Sequence, residues 1–212
     1  MKEEEPKFYQ ASDDTFAMID ALDAQKNYIN DLDPKVIVEI GCGSGVITEH
    51  LIKSHPSAMF IATDINPYAL DEVKKIKEKH NADVLIMRSD LMSNLDTTLV
   101  DIVIFNPPYV ETSGDLCDFE LFDGLYNTKK GLLDFAYSGG KNGAEVIYKF
   151  IKALGETKCI YLLCIRYNKP FQIMLDLKKM GYECFVTHVK KILGESIYII
   201  RITKKNLSTK IF

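Results

Sequence analysis

Residues 36–45 constrain this chain more than any other stretch. Val36-Ile37-Val38-Glu39-Ile40 is a β-branched run with no face to give to water. Such a run predicts a strand covered on both sides, the habit of parallel sheets. Gly41-Cys42-Gly43-Ser44-Gly45 follows as a turn, and Val46 to Lys53 reads as a helix. The unit then recurs. Met59 to Thr63 is a strand ending at Asp64, and Asn66-Pro67 opens a helix to about Lys79. Val84 to Met87, Ile102 to Phe105 and Lys158 to Ile165 are further strands, with helices at Ala144 to Leu154 and Pro170 to Met180. Cys184 to Val189 and Ile197 to Thr203 have only a short link through Gly194, so they are expected to pair antiparallel at one edge. Strand–helix alternation of this kind predicts an α/β fold with a seven-stranded, mostly parallel sheet.

Ahead of the first strand, Ser12-Asp13-Asp14-Thr15 precedes Phe16, Ile19 and Leu22, which predicts an N-capped helix to about Asn30. Residues 1 to about 12 read as polar and mobile. The 212 residues suit one domain, a segment and helix over 1–33 followed by a core over 34–212. A net charge of −4 offers no strong basic field for a nucleic-acid backbone. No segment is apolar for long enough to span a membrane. The 5 cysteines form no CxxC pair and no Cys/His spacing for zinc, so no metal site is expected.

Chemistry concentrates after the strands. Ile102 to Phe105 runs into Asn106-Pro107-Pro108-Tyr109. Two prolines remove two backbone donors and fix φ, so the strand must end in a stiff turn. That turn presents carbonyls, one amide and one ring, which suits a planar group carrying NH2. A plain strand-ending turn is the alternative. Gly41, Gly43 and Gly45 let a ligand approach the backbone closely. Their GxGxG spacing departs from the GxGxxG of dinucleotide enzymes and favours another nucleoside. Asp64, ending the second strand, can accept both ribose hydroxyls. Asp90, with the Leu91 backbone beside it, can take an adenine amino group. Glu39 lies inside an apolar strand, which costs several kcal/mol unless compensated. A cationic ligand or neighbouring backbone amides could compensate it.

Together, residues 36–45, Ala62-Thr63-Asp64-Ile65-Asn66-Pro67 and Asn106-Pro107-Pro108-Tyr109 resemble the S-adenosylmethionine-dependent HemK-like glutamine methyltransferases, closest to the eukaryotic and archaeal branch. Tyr9 to Leu22, Gly139-Gly140-Lys141-Asn142-Gly143 and Gly194-Glu195 extend the resemblance over nearly the whole chain. Ala11 replaces a usual proline, Cys42 replaces a common serine or threonine, and Asp115 to Lys130 matches little.

The resemblance implies a Rossmann-like class I methyltransferase fold and a cytoplasmic enzyme. Its reaction would be N5-methylation of the glutamine in the Gly-Gly-Gln motif of the class 1 translation termination factor. A small zinc-binding activator protein would be its partner. Thr15, Glu39, Gly41, Gly43, Asp64, Ile65, Asp90, Leu91 and Asn106 would meet the cofactor. Asn106, Pro107, Pro108 and Tyr109 would hold the acceptor, with Asn106, Pro107 and Tyr109 acting in catalysis. In that fold the third strand lies at an edge. Val84, Leu85, Ile86 and Met87 would then need cover, from the activator or from a loop of the same chain. Rival readings are methylation of lysine or of adenine N6, a scaffold without chemistry, and, last, a nicotinamide dehydrogenase.

Overall fold

The computed structural model describes residues 6–112 and 129–205. Seven strands form one sheet: β1 (Val36–Ile40), β2 (Met59–Asp64), β3 (Val84–Arg88), β4 (Ile102–Phe105), β5 (Cys159–Ile165), β6 (Tyr182–Ile192) and β7 (Glu195–Lys204). Their order is β3-β2-β1-β4-β5-β7-β6. The first five run parallel, while β7 is antiparallel to both β5 and β6. The antiparallel strand is therefore one place in from the edge, with β6 outermost. Gly194, at φ +81°, makes the tight link between them.

Seven α-helices are described: α1 (Asp13–Ala24), α2 (Lys26–Leu32), α3 (Val46–Ser54), α4 (Pro67–His80), α5 (Lys129–Phe135), α6 (Glu145–Lys152) and α7 (Pro170–Lys179). The period-2 alternation of strand side chains divides the core in two. Ile37, Ile102, Ile104 and Tyr161 point to one side, against α1 to α4. Val38, Val103, Phe105 and Leu162 point to the other, against α6 and α7. Every residue of β4 is buried, as its unbroken apolar run requires. At α4, Asn66 caps the helix by accepting the Tyr68 amide at 3.0 Å, and Pro67 occupies the first turn.

Two expectations shift. The first helix ends at Ala24 rather than near Asn30, and the chain bends at Gln25 into α2. Arg201 on β7 ties down the bend: its Nη1 donates to Gln25 Oε1 at 2.7 Å and its guanidinium lies 3.9 Å from the Tyr28 ring. The other concerns β3. It is an edge strand, but Val84 is buried, Ile86 and Met87 are half-buried, and only Leu85 stands out at 52% exposed. The four do not form one exposed apolar row, because α4 packs over alternate side chains. The stretch Asp115 to Lys130 and the tail beyond 205 lie almost wholly outside the described residues. None of the described helices is long and apolar enough to cross a membrane.

Candidate active site

An open cleft of about 1020 Å³ lies over the carboxyl ends of β1, β2 and β4, where open α/β sheets bind ligands. Its lining includes Thr15, Glu39, Gly41, Gly43, Asp64, Ile65, Asp90, Leu91 and Asn106 through Tyr109. Every residue expected at the cofactor or acceptor site is thus brought to one place. The β3 residues are not part of it.

The cofactor side is built by the turn after β1. Gly41, Gly43 and Gly45 all have positive φ, which an L side chain resists. A Cβ on Gly43 would also stand 3.3 Å from the Tyr9 carbonyl oxygen. Asp64 supports this turn. Its Oδ2 accepts the Gly43 amide and its Oδ1 the Asn66 amide, each at 2.9 Å. Burial raises the Asp64 carboxyl, against these backbone bonds. Glu39 is 5% exposed. It accepts a short hydrogen bond from the Thr48 hydroxyl of α3. Burial pushes its carboxyl up to about 8, with the Thr48 bond opposing and the Asp64 charge adding to the rise. Glu39 without a ligand is therefore mostly protonated at neutral pH.

Past β3, Leu91 adopts φ +50°. A branched side chain there costs roughly 1–2 kcal/mol, and such strain gathers at functional sites. Beside it Asp90 is paired with Lys149 of α6 at 2.7 Å, a partner that nothing in the local sequence announced.

The acceptor side is different. Asn106 follows β4 directly, and its Nδ2 donates to Asp14 Oδ2 at 3.0 Å. Its Oδ1 is buried and accepts no hydrogen bond. The Tyr109 hydroxyl donates to the same Asp14 oxygen at 2.9 Å, and the Tyr9 hydroxyl does so at 2.7 Å. Ser12 and the Thr15 amide bond the other oxygen. Burial pushes the Asp14 carboxyl up, but the bonds from Tyr9, Asn106, Ser12 and Tyr109 together bring it below its ordinary value. Burial and the Asp14 charge raise the Tyr109 hydroxyl, so it stays a donor.

Tyr9 lies in the stretch expected to be mobile, yet residues 7–9 run over the cleft. Asn66 Nδ2 donates to the Lys7 carbonyl at 2.9 Å, and the Tyr9 ring meets Tyr137 edge-on at 5.3 Å. The exit of the turn is fixed as well. Asn168, 3% exposed, donates through Nδ2 to the carbonyls of Tyr109, Asn142 and Gly143. A Cβ on Gly143 would stand 1.9 Å from the Tyr109 oxygen, so only glycine permits this approach.

Over residues 15–122, half of the chain, the sequence matches the methyltransferase small domain. The chain belongs to that methyltransferase family. It is 28% identical over 204 residues to mouse methyltransferase HEMK2, covering 92% of this chain and 89% of that protein. It is 29% identical over 214 residues to the eRF1 methyltransferase catalytic subunit mtq2 of Schizosaccharomyces pombe, with 92% and 88% covered. Among solved structures it is similar to a chain of the E. cuniculi Mtq2-Trm112 complex responsible for methylation of the eRF1 translation termination factor. That match has 31% identity and a TM-score of 0.71, covering 94% of this chain and 100% of that one. The methyltransferase fold thus has its glycine turn, its buried glutamate and its Asn-Pro-Pro-Tyr turn around a single cleft.

Proposed function

We propose that this methyltransferase transfers a methyl group from S-adenosylmethionine to the side-chain nitrogen of the glutamine in the Gly-Gly-Gln motif of a class 1 translation termination factor. The observation that carries the reading is Asn106 Oδ1, a buried acceptor without a partner on a residue that lines the cleft. A buried acceptor left unpaired costs about 1–3 kcal/mol, and an amide N–H of the acceptor would relieve it. Family membership and the similarity to two eRF1 methyltransferase subunits support the choice of glutamine over lysine or adenine.

The residues present fit the cofactor. A protonated, buried Glu39 is what a cleft awaiting a cation would have, and the positively charged methionine amino group would convert it to a carboxylate. Thr15, Gly41, Gly43 and Ile65 would line the nucleoside, Asp64 the ribose, and Asp90 with Leu91 the adenine. When bound, S-adenosylmethionine supplies an electrophilic methyl on a positively charged sulfur.

An amide nitrogen is a weak nucleophile, its lone pair being delocalised into the carbonyl. Asn106 Oδ1 and the Pro107 carbonyl would each accept one N–H, aiming the lone pair at the methyl. The cofactor would supply the methyl to that nitrogen, its sulfur keeping the electron pair of the former carbon–sulfur bond. The surplus proton then leaves to solvent. The two hydrogen bonds strengthen as nitrogen becomes positive, which is selective binding of the transition state. Pro108 stiffens the turn, and Tyr109 packs against the amide.

The chain would act as one domain, in the cytoplasm where termination takes place, beside a small zinc-binding activator. The activator would add its strand along β3, around Leu85, Ile86 and Met87, with Val84 beneath them. The deciding experiment is transfer of labelled methyl to a purified termination factor, with the activator co-expressed. Wild-type factor should be labelled, and a Gly-Gly-Arg version should not. Labelling of neither, with the cofactor bound, would overturn the glutamine reading.

A further inference from the structure

A side-chain amide has two ends of nearly equal shape and opposite hydrogen-bonding character. Methyl transfer to an amide needs an acceptor facing the reacting nitrogen, so the orientation of Asn106 decides whether the turn helps or hinders. The turn itself does not choose. Pro107 and Pro108 set the backbone, not the terminal rotation of the Asn106 side chain.

Asp14 makes the choice. Its Oδ2 lies 3.0 Å from Asn106 Nδ2. An ionised carboxylate accepts only, so the NH2 end must face it. The opposite rotation would set the Asn106 oxygen against a carboxylate oxygen with no proton between them. Asp14 is 1% exposed and comes from the first turn of α1, 92 residues away in sequence. It is held from both sides: Tyr9 and Tyr109 donate to Oδ2, while Ser12 and the Thr15 amide donate to Oδ1. These donors keep it ionised despite burial.

We infer that Asp14 is a positioning residue for methyl transfer: it orients the Asn106 amide so that Oδ1, and not Nδ2, faces the reacting nitrogen, and the hydroxyls of Tyr9 and Tyr109 hold it in that task. Asp14 lines the same cleft, but in this scheme it acts through Asn106 rather than by bonding to cofactor or acceptor. The negative charge one hydrogen bond behind Asn106 also makes its oxygen a stronger acceptor as nitrogen turns positive. The inference rests on the amide-methylation reading above.

The test is Asp14→Asn in the enzyme co-expressed with its activator. An asparagine at 14 offers NH2 as well as oxygen, so Asn106 is released to rotate and to present a donor. Cofactor affinity is expected to stay within about threefold, because the glycine turn and Glu39 are untouched, while kcat falls about 10²–10³-fold at little-changed acceptor KM. Tyr109→Phe, which removes one donor and leaves the charge, is expected to cost about tenfold in kcat. The Asn106 side-chain amide signal in a ¹H–¹⁵N spectrum gives a readout apart from activity. It should move on Asp14→Asn, since its carboxylate partner is gone.

A folded Asp14→Asn enzyme turning over within about threefold of wild type would overturn the inference, as would an unmoved Asn106 signal. If wild-type enzyme labels no termination factor, the glutamine reading falls instead. The amide signal then decides the orientation claim alone.

Discussion

The two halves of the cleft treat buried carboxylates in opposite ways. On the cofactor side, burial raises Glu39 to about 8 and raises Asp64 too, because their partners are a hydroxyl and a few amides. On the acceptor side Asp14 is also buried, yet four hydrogen-bonding side chains bring it below its ordinary value. The first half is electrostatically unfinished, and in the proposed function a cation arriving with the ligand would complete it. The second is finished in advance, apart from one open atom, Asn106 Oδ1. A cleft that must bind and release a charged cofactor keeps an adjustable charge there. A group that must be aimed to within a fraction of an ångström is held rigid beforehand.

The contrast breaks most clearly at Asn106. Asn106→Ala should lower kcat by about 10³-fold, far more than it weakens cofactor binding. Equal losses in both, from single-turnover rates and calorimetry, would merge the two halves. Glu39→Gln should show the reverse. Cofactor affinity is expected to fall about 100-fold, since a buried charge pair is lost. The same change should stabilise the ligand-free protein above neutral pH. The sign follows from the raised value: the wild-type contribution is full below the unfolded carboxyl value and is lost as pH rises through about 8, while glutamine has no proton to lose. Thermal melts of both proteins at pH 6 and pH 8.5 would check it, with the gap opening at the higher pH.

At the sheet edge, Leu85→Asp should weaken activator binding about tenfold and leave cofactor affinity alone, as a lone exposed apolar contact would. A change in cofactor affinity instead would tie the edge to the cleft. Within the cofactor half, a pH slope sharpens the comparison further. Binding a cation favours ionised Glu39 and so releases its proton, hence acidification opposes binding. Cofactor affinity should fall by up to about tenfold per unit below pH 8 and become flat in Glu39→Gln. Calorimetry in buffers of different ionisation enthalpy would count the proton.

The sequence made the parts of this cleft legible where one residue type has one plausible use. A glutamate inside an apolar strand, three glycines after it and two prolines ending β4 each point to a ligand. Asp14 was harder to read. A carboxylate in the first turn of a helix is ordinary, and only its neighbours from β4 and from residue 9 give it another meaning. Tyr9 hides in a polar leader that sequence alone reads as loose. Asn168 bonds three carbonyls from segments 25 to 59 residues away, which no local pattern encodes. At β3, four apolar residues in a row concealed an alternation that only the packing of α4 reveals. The edge position came from the fold resemblance, while the burial of Val84 needed the third dimension.

The tyrosines at the cleft mouth have a practical consequence. The chain contains no tryptophan, and Tyr9 and Tyr137, both lining the cleft, meet edge to face. Replacing Tyr137 by Trp would place the molecule's sole indole at that contact. Its emission could be excited apart from that of the remaining tyrosines. Such a variant would be an optical gauge of occupancy, following in real time each arrival and departure at the cleft without any attached dye.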